Sequence, residues 1–559
     1  MIFFPHTENR RCISFWLAAI TLLILLASCG QQIPHIDSID PKIGRAGETV
    51  TIQGRNFGRE RDESYVTLAG VSPTNSSYLN WHHDSITLRI PELGDAGLIY
   101  VHVKGKKSNG VLFSNQASLP RPAQGAELNL IPQIVSISPQ SAPIGSVITI
   151  TGINFGSSRE RSAVLFNWEG GQYLSIPPEA RTAEFIEVSE TEFGYELWSE
   201  REIRIRIPDG AVRGNMEIRT FRGNSRPFIF NVSGKPGTKI FGDKHSYTIN
   251  YSVNIKVIEA SGSNTLYLWI PQPSVSAAQR NIELLSRSSE PFVENYRGVN
   301  LYKLSNLTSN SDTYINLSYK VDVYAIETNI RSQSVRQEED SAVRAAYTQA
   351  DTLVPSDDLR IKAHAQILSD RNPFVTAQRI YKWLISEYDI RGGADSTDYA
   401  AGASAVEYRN SPLEALASKQ ADPFTAALLF CALGRASGLP CIPISGVLVN
   451  RNRQTIKHYW AEFWIDGLGW IPVDPGQGAK AVPPAFQFRQ DSESYYFGNA
   501  DSQRITFSRG QLSLSQMDQR GRVSGSTRSY SLQNLREEAV GGLDAYSSLW
   551  GDITVTGIY

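Results

Sequence analysis

The C-terminal third of the chain reads Lys457-His458-Tyr459-Trp460-Ala461-Glu462-Phe463-Trp464 and then, after a short connection, Gly469-Trp470-Ile471-Pro472-Val473-Asp474-Pro475. These stretches place a histidine on one predicted strand and an aspartate at the end of the next. In a nucleophile–base–aspartate triad, the histidine takes the proton and the aspartate holds the imidazole in one tautomer. His458 and Asp474 are therefore the candidate base and the candidate orienting carboxylate of a catalytic site.

The nucleophile of such a triad is expected upstream, at the first turn of a helix. The helix dipole and the unpaired N–H groups of that turn favour a thiolate. A helix start is easy to locate here, because Asp422 can cap the free N–H groups and Pro423 suits the first helical position. The sequence thus predicts a helix that begins at Pro423 and carries no cysteine there.

Four ordered blocks around these residues resemble the core of the transglutaminase-like family. The blocks are F-x-x-L-x-R-A-x-G-L-P from Phe430 to Pro440, H-x-W-x-E from His458 to Glu462, G-W-x-x-V-D-P from Gly469 to Pro475, and the segment from Tyr495 to Gly510. The resemblance covers about residues 340–515. It implies an α+β, papain-like domain of the cysteine-protease type.

In that family the catalytic order is cysteine, histidine, aspartate. By resemblance, His458 matches the family histidine and Asp474 the family aspartate. Counting back from Arg435, the family cysteine falls at Pro423, and the glycine that usually stands two residues earlier is Ala421. The resemblance therefore implies a degenerate triad, and the domain is expected to be inactive.

Other residues could replace the missing thiol. Cys431 lies eight residues after Pro423, about 12 Å along the helix axis, whereas a nucleophile must come within about 3 Å of its base. Cys431 and Cys441 are therefore expected to be core residues, and Thr425 remains as a hydroxyl candidate. Without a nucleophile, the His458–Asp474 pair has three interpretations: a structural element, the wall of a ligand cleft, or a base that activates water.

The N-terminus has the features of a secretory signal. Arg10-Arg11 precedes an apolar run from Ile13 to Leu26, which is shorter than the roughly 20 residues that a membrane-spanning helix needs. The next residues, Leu26-Ala27-Ser28-Cys29, resemble the lipobox of bacterial lipoproteins. By that resemblance Cys29 carries the lipid and residues 1–29 are the signal peptide and lipobox, with an uncleaved anchor helix as the alternative.

Composition excludes several functional classes. The net charge of −2 gives no reason to expect nucleic acid as a partner. Of the four cysteines, two lie at or before position 29; Cys431 and Cys441 remain, which is no disulfide framework and lacks metal-ligand spacing. A bridge between those two is possible in an oxidising compartment. The eight histidines are scattered, so neither a metal nor a cofactor is expected.

An internal repeat organises the first part of the chain. The motif I-x-x-I-x-P followed by G-x-x-(V/I)-T-I-x-G-x-N-F-G runs from Ile36 to Gly58 and recurs from Ile134 to Gly156, with a constant offset of 98 residues. Alternating apolar residues and Gly, Pro and Asn punctuation predict antiparallel β-sandwiches. The motif resembles the IPT/TIG immunoglobulin-like domain, over residues 33–117 and 131–233. Such domains serve as spacers or docking modules, and a fold does not define a function.

Two further regions flank the predicted core domain. Residues 238–330 alternate as β-strands, and the stretch Leu266-Tyr-Leu-Trp-Ile-Pro271 resembles the sandwich that often precedes bacterial transglutaminase-like domains. Residues 516–559 form a C-terminal extension, rich in Ser, Gly and Arg in its first half. The sequence leaves open whether its last predicted strand, which starts near Asp552, packs on the rest of the chain.

Two function hypotheses follow. The first is a non-catalytic lipoprotein of the bacterial cell envelope, anchored to a membrane by lipid, whose transglutaminase-like domain binds a protein or a cell-wall peptide. The second is an active hydrolase or acyltransferase, of the protease or amidase type, that uses His458 and Asp474 with a non-standard nucleophile. The predicted fold class is the same for both: all-β sandwiches followed by an α+β transglutaminase-like domain.

Overall fold

A computed structural model describes residues 33–93, 97–115, 130–168, 170, 184–190, 192–336, 342–392, 411–526 and 529–559. The predicted signal and Cys29 lie outside these residues. The chain divides into two compact units, residues 1–119 and 120–559. The first unit holds one β-sandwich, and the second holds a further sandwich, a sheet with very long strands and an α+β domain.

The first unit is a two-sheet sandwich. One sheet has the order β1-β3-β6-β5 and the other β2-β9-β7-β4, with β8 paired to β7. Alternate residues such as Val50 and Ile52 are fully buried between the sheets, as expected for half-buried strands. The strands are β1 (His35–Asp40), β2 (Ile43–Gly44), β3 (Thr49–Arg55), β4 (Tyr65–Leu68), β5 (Tyr78–Trp81), β6 (Ser85–Arg89), β7 (Gly97–Val103), β8 (Lys106–Lys107) and β9 (Val111–Asn115).

The second unit begins with the same architecture. One sheet has the order β10-β12-β16-β15, and the other β11-β19-β17-β13-β14, with β18 paired to β17. The edge strands β1 and β10 carry a β-bulge at the same place, between Ile36 and Ser38 and between Ile134 and Ser136. The strands are β10 (Gln133–Ser138), β11 (Ser141–Ala142), β12 (Val147–Ile153), β13 (Ala163–Trp168), β14 (Phe185–Glu187), β15 (Tyr195–Trp198), β16 (Glu202–Arg206), β17 (Ala211–Thr220), β18 (Gly223–Asn224) and β19 (Phe228–Val232).

The next sheet is built on one very long strand. Strand β20 runs over 35 residues and pairs with β24 along most of its first half and with β23 near its end. The C-terminal residues complete this sheet, because β32 and β33 also pair with β20. The strands are β20 (Gly237–Pro271), β21 (Gln279–Arg287), β22 (Val293–Tyr296), β23 (Val299–Ser305), β24 (Ser311–Ile330), β31 (Arg522–Ser526), β32 (Gln533–Trp550) and β33 (Thr554–Ile558).

This sheet answers the question that the sequence left open about the C-terminal extension, residues 516–559. Its strands β31, β32 and β33 belong to the sheet of β20, and Leu543, Ile553 and Val555 lie in the apolar core beside that sheet. Such long-range pairing leaves no local signal in the sequence, because each strand alternates in the same way wherever it pairs.

The α+β domain packs a central helix on a four-stranded sheet of order β29-β28-β27-β30. Its strands are β25 (Asp389–Ile390), β26 (Gln420–Ala421), β27 (Cys441–Val449), β28 (Thr455–Ile465), β29 (Gly469–Val473) and β30 (Arg504–Arg509). Its helices are α1 (Ala342–Tyr347), α2 (Leu359–Leu368), α3 (Pro373–Glu387), α4 (Pro412–Ser418), α5 (Pro423–Ala436), α6 (Pro475–Gly478) and α7 (Ser492–Tyr495).

Helix α5 is the centre of this domain. Every residue from Pro423 to Arg435 is buried, because the other helices cover one side and the sheet covers the other. Odd-numbered residues of β28, including Tyr459, Ala461 and Phe463, join the same apolar cluster. Even-numbered residues, beginning with His458, therefore project to the opposite side of the strand.

Candidate functional site

The two predicted site residues meet in the structure. His458 Nε2 lies 3.0 Å from Asp474 Oδ1 and 2.8 Å from Asp474 Oδ2. The residues come together because β29 pairs with β28 from Ile465 to Ala461 and then ends, so the chain turns into α6 beside His458. Both side chains are buried, at 1% exposure each.

An arginine that the sequence reasoning did not single out binds the same carboxylate. Arg504 Nη1 donates to Asp474 Oδ2 at 3.1 Å, and Arg504 Nη2 donates to Asp501 Oδ2 at 2.8 Å. Tyr496 also donates to Asp501 Oδ2, at 2.9 Å. The His458–Asp474 pair is thus one end of a buried ionic network. The signal that could have pointed to it is the fourth family block, which contains Tyr496, Asp501 and Arg504.

The network keeps Asp474 ionised. Burial alone would raise the pKa of the Asp474 carboxyl, but His458, Arg504 and the backbone N–H of Gln477 outweigh it and hold the pKa below its usual value. That N–H donates to Asp474 Oδ1 at 2.9 Å, so the carboxylate also caps α6. Asp474 therefore has a complete set of structural partners besides the imidazole.

The helix of the site begins where the sequence predicted, and its first residue is not a cysteine. Helix α5 begins at Pro423, and Asp422 Oδ1 accepts the backbone N–H of Thr425 at 2.7 Å. This bond satisfies one of the donors that would otherwise stabilise an anion at a helix N-terminus. Asp422 is 3% exposed, so a carboxylate and a proline ring occupy the buried first turn of the helix.

Pro423 and His458 both lie close to Gly476. A Cβ atom placed on Gly476 would lie 2.8 Å from Pro423 Cβ and 3.1 Å from His458 Cε1. Only a residue without a side chain fits at position 476, because both contacts are shorter than ordinary van der Waals distances. The proline ring thus lies next to the imidazole, where the resemblance had placed the thiol.

The two described cysteines do not contribute to the site. Both are free and buried, so the possible bridge between them is not formed in this structure. Burial raises the pKa of the Cys431 thiol to about 12 and that of Cys441 well above its usual value. A thiol with a raised pKa is a poor nucleophile because it stays protonated at neutral pH. Thr425 is completely buried.

Chain segments from outside the sheet close the region around the helix start. The hydroxyl of Ser445 donates to the carbonyl of Ser529 at 2.7 Å, and the N–H of Leu532 donates to the hydroxyl of Ser508 at 2.8 Å. Leu532 belongs to the same apolar cluster as Phe424 and Tyr459. The C-terminal residues therefore lie across the sheet beside the first turn of α5.

The remaining residues of the H-x-W-x-E block have structural partners. Arg504 lies over the Trp460 ring, with its Cζ 4.9 Å from the ring centroid. Glu462 accepts from Arg509 Nη1 at 2.6 Å, and Arg509 Nη2 also binds Glu192 of the second sandwich at 3.0 Å. Trp460 and Glu462 thus hold strands and domains together.

Neither a metal-binding group nor a membrane-spanning helix is present among the described residues. Within these ranges, no three His, Cys, Asp or Glu side chains are arranged to hold a metal ion. No helix among the same residues is long and apolar enough to span a membrane. The chemistry that the described site offers is therefore a buried imidazole–carboxylate pair beside a capped helix.

Comparison with protein families identifies the domains. Residues 362–475 match the transglutaminase-like superfamily core, and residues 34–118 and 132–180 match the IPT/TIG domain. These matches confirm the predicted resemblances to the IPT/TIG domain and to the transglutaminase-like core, and the predicted fold class of immunoglobulin-like sandwiches followed by a transglutaminase-like domain.

The curated relatives match a small part of the chain. The cyclomaltodextrin glucanotransferase of Bacillus licheniformis is 30% identical over 112 residues, which are 19% of this chain and 15% of that enzyme. The enzyme of the same name from Paenibacillus macerans is 24% identical over 85 residues, or 15% of this chain and 12% of the enzyme. The chain thus spans less than a sixth of the length of either relative.

The similar solved structures are distant. A cysteine protease candidate from Cytophaga hutchinsonii is 14% identical, with 58% of this chain and 91% of that chain covered, at a TM-score of 0.34. The periplasmic domain of TgpA from Pseudomonas aeruginosa is 13% identical, with 44% and 92% covered, at a TM-score of 0.23. At these TM-scores neither structure supports an argument about function.

Proposed function

We propose that this chain, which contains IPT/TIG domains and a transglutaminase-like core domain, is a lipid-anchored lipoprotein of the bacterial cell envelope whose core domain is not catalytic. In this proposal the core domain binds a protein or a cell-wall peptide. The lipid is attached to Cys29, and the sandwiches hold the core domain away from the membrane. Neither a cofactor nor nucleic acid takes part.

One observation carries the proposal of inactivity. The first turn of α5, where the family resemblance requires a cysteine, holds Pro423 behind the capping carboxylate of Asp422. The side chain of Pro423 has no group that can attack a carbonyl. Both Pro423 and the preceding Asp422 are buried. The His458–Asp474 pair is instead integrated with Arg504 in a network that stabilises the fold.

The experiment is a turnover assay on the full-length purified chain. Glutamine-containing peptides and cell-wall peptides serve as substrates, and release or transfer of the acyl group is measured for the wild type and for His458→Ala. We expect both proteins to give the background rate. Turnover by the wild type that His458→Ala abolishes would overturn the proposal.

A second candidate function, an acyltransferase or hydrolase with a non-standard nucleophile, is favoured by one feature. The His458–Asp474 hydrogen bonds are those of a base and its orienting carboxylate. Thr425, at the third helical position of α5, would be the nucleophile closest to that helix start. In the same assay, loss of turnover in Thr425→Ala would support this alternative, whereas the non-catalytic proposal expects no turnover to lose.

The envelope location has a separate test. Cys29→Ala removes the residue that the lipobox resemblance assigns to lipid. We expect the wild type to fractionate with membranes and to incorporate a radiolabelled fatty acid, and the variant to do neither. Equal incorporation of the fatty acid by the wild type and by Cys29→Ala would contradict attachment of the lipid to Cys29.

A further inference from the structure

The edge strand of the first sandwich is protected against pairing with another chain. The Ile36 N–H donates to Asn109 Oδ1 at 2.7 Å, and Asn109 Nδ2 donates to the Ile36 carbonyl at 2.9 Å. Ile36 lies on β1, the outer strand of its sheet. The Asn109 side chain therefore satisfies both outward-facing backbone groups beside the bulge, as edge strands require.

Charged side chains surround this protected edge. Arg55 lies 3.7 Å from Asp37 across the β1–β3 pair, and Lys104 is exposed at the tip of the β7–β8 hairpin. Charge on an edge strand disfavours association with another strand. The first sandwich thus uses a bulge, an amide cap and charges at the same edge.

The corresponding positions of the second sandwich can be assigned without ambiguity. The constant offset of 98 residues relates Asp37 to Val135 and Arg55 to Ile153. The hairpins are related by equivalent bonds: the Ser108 N–H donates to the Val101 carbonyl at 2.9 Å, and the Ser225 N–H donates to the Ile218 carbonyl at 2.8 Å.

These hairpin bonds fix two further equivalences. Asn109, which bonds to the edge strand β1, directly follows Ser108, and Arg226, which directly follows Ser225, takes its place in the second sandwich. At the hairpin tip, four residues before that serine in each sandwich, Phe221 takes the place of Lys104.

The described residues of the second sandwich include the bulge, but they have neither the amide cap nor the charged residues that the first sandwich has at this edge. Val135 is 70% exposed, Ile153 41% and Phe221 82%, where the first sandwich has charged residues. Arg226 is exposed, and within the described residues no side chain binds the backbone of Ile134, the counterpart of Ile36. At Ile134, strand β10 therefore presents backbone groups that no side chain in the described part of the protein caps, with exposed apolar side chains beside them.

The hairpin that carries Phe221 lies beside the start of β10. A Cβ atom placed on Gly223 in that hairpin would lie 3.9 Å from Ile131 Cγ1. Ile131 itself is 43% exposed. We call Ile131, Val135, Ile153 and Phe221 the β10 surface. Arg222 and Arg226 give its hairpin side a positive charge.

We propose that the β10 surface binds an extended segment of another protein by adding it as a strand beside β10. The main chain of the segment would pair with the Ile134 backbone groups, its alternate apolar side chains would contact Val135 and Phe221, and an acidic residue would lie near Arg226. This combination of edge pairing and side-chain contacts is the physics of β-strand addition. The inference does not depend on whether the core domain is catalytic.

The test measures binding of two labelled probe peptides to the full-length chain by fluorescence anisotropy. One probe is the octapeptide Thr-Val-Glu-Val-Thr-Val-Glu-Val, and the other has lysine in place of glutamate. We expect the acidic probe to bind at least about tenfold more tightly than the basic probe, because only its charge complements that of Arg222 and Arg226.

Variants that transfer the protections of the first sandwich provide matched controls. Arg226→Asn restores the amide cap, whereas Arg226→Ala removes the charge without restoring it. We expect Arg226→Asn to abolish binding of the acidic probe and to slow hydrogen exchange of the Ile134 amide without any probe. Arg226→Ala is expected to weaken binding by about tenfold, as the loss of one charge contact does, and to leave that exchange unchanged.

The double variant Val135→Asp with Ile153→Arg tests the apolar contacts. These positions are exposed, so thermal unfolding should match the wild type while the acidic probe no longer binds. The proposal is overturned if neither probe binds, if Arg226→Asn and Arg226→Ala bind equally, or if sedimentation shows that the purified chain dimerises through this edge and excludes the probes.

Discussion

The strand side and the helix side of the candidate site differ in what they retain. On the strand side, His458 and Asp474 make the bonds of a base and its orienting carboxylate. On the helix side, the start of α5 keeps its position and its cap, but Pro423 stands where the family resemblance requires a nucleophile. The difference teaches that a well-formed His–Asp pair is not evidence of catalysis when the pair also belongs to a stabilising network.

The largest expected effect concerns the network on the strand side. Arg504→Met leaves the buried carboxylates of Asp474 and Asp501 without their cation. Breaking a buried ion pair in this way costs about 3–5 kcal/mol of unfolding free energy. Urea unfolding followed by tryptophan fluorescence measures the change, and Arg520→Ala, at a side chain that is 87% exposed, is the control that should leave the midpoint unchanged. If Arg504→Met left the unfolding free energy unchanged, the strand side would not be stabilised by this network.

A smaller effect on the same side is a dependence of stability on pH. The pKa of Asp474 is lower in the folded protein than in the unfolded chain, where it is about 3.9. The unfolded chain therefore binds a proton first, so the stabilisation is complete above about pH 4 and is lost as the pH falls through the folded pKa.

Asp474→Asn removes this contribution. We expect the difference in unfolding free energy between the wild type and Asp474→Asn to narrow between pH 6 and pH 3, as measured by urea titrations at each pH. A difference that stays constant over this range would mean that the Asp474 carboxylate is not stabilised by its partners.

The smallest effect concerns the cap on the helix side. Asp422→Ala removes the acceptor for the buried Thr425 N–H, which we expect to cost about 2 kcal/mol, the upper end of the range for helix caps. The matched control is Asp358→Ala, which removes the N-cap of α2, where Asp358 binds the Arg360 N–H at 2.8 Å at a more exposed site. That variant should cost about 0.5–1 kcal/mol. Equal losses would indicate that burial of the α5 start adds nothing to the cap.

Local signals predicted much of the site from the sequence. The capping aspartate and the following proline placed the start of α5 at Pro423, where the structure has it. The H-x-W-x-E and G-W-x-x-V-D-P stretches were predicted as consecutive strands, and they are β28 and β29 in the structure. These features depend on residues that are close in the chain, so periodicity and capping suffice to predict them.

The remainder of the site depends on contacts between distant residues. Arg504 approaches Asp474 from β30, which is separated from β28 by β27, and no local pattern indicates that contact. The C-terminal residues complete the sheet of β20 and pack beside the α5 start, although their sequence is only a set of alternating strands. The burial of His458 could not be predicted for the same reason.

The central claim is that no thiol of this chain acts as a nucleophile with His458. The most direct measurement is labelling of the native wild type and of His458→Ala with a cysteine-directed electrophilic probe, with the labelled residues mapped by mass spectrometry. Because Cys431 and Cys441 are buried and their thiol pKa values are raised, we predict that neither is labelled in either native protein, and that both are labelled in urea. Labelling of Cys431 in the native wild type that His458→Ala abolishes would contradict the claim.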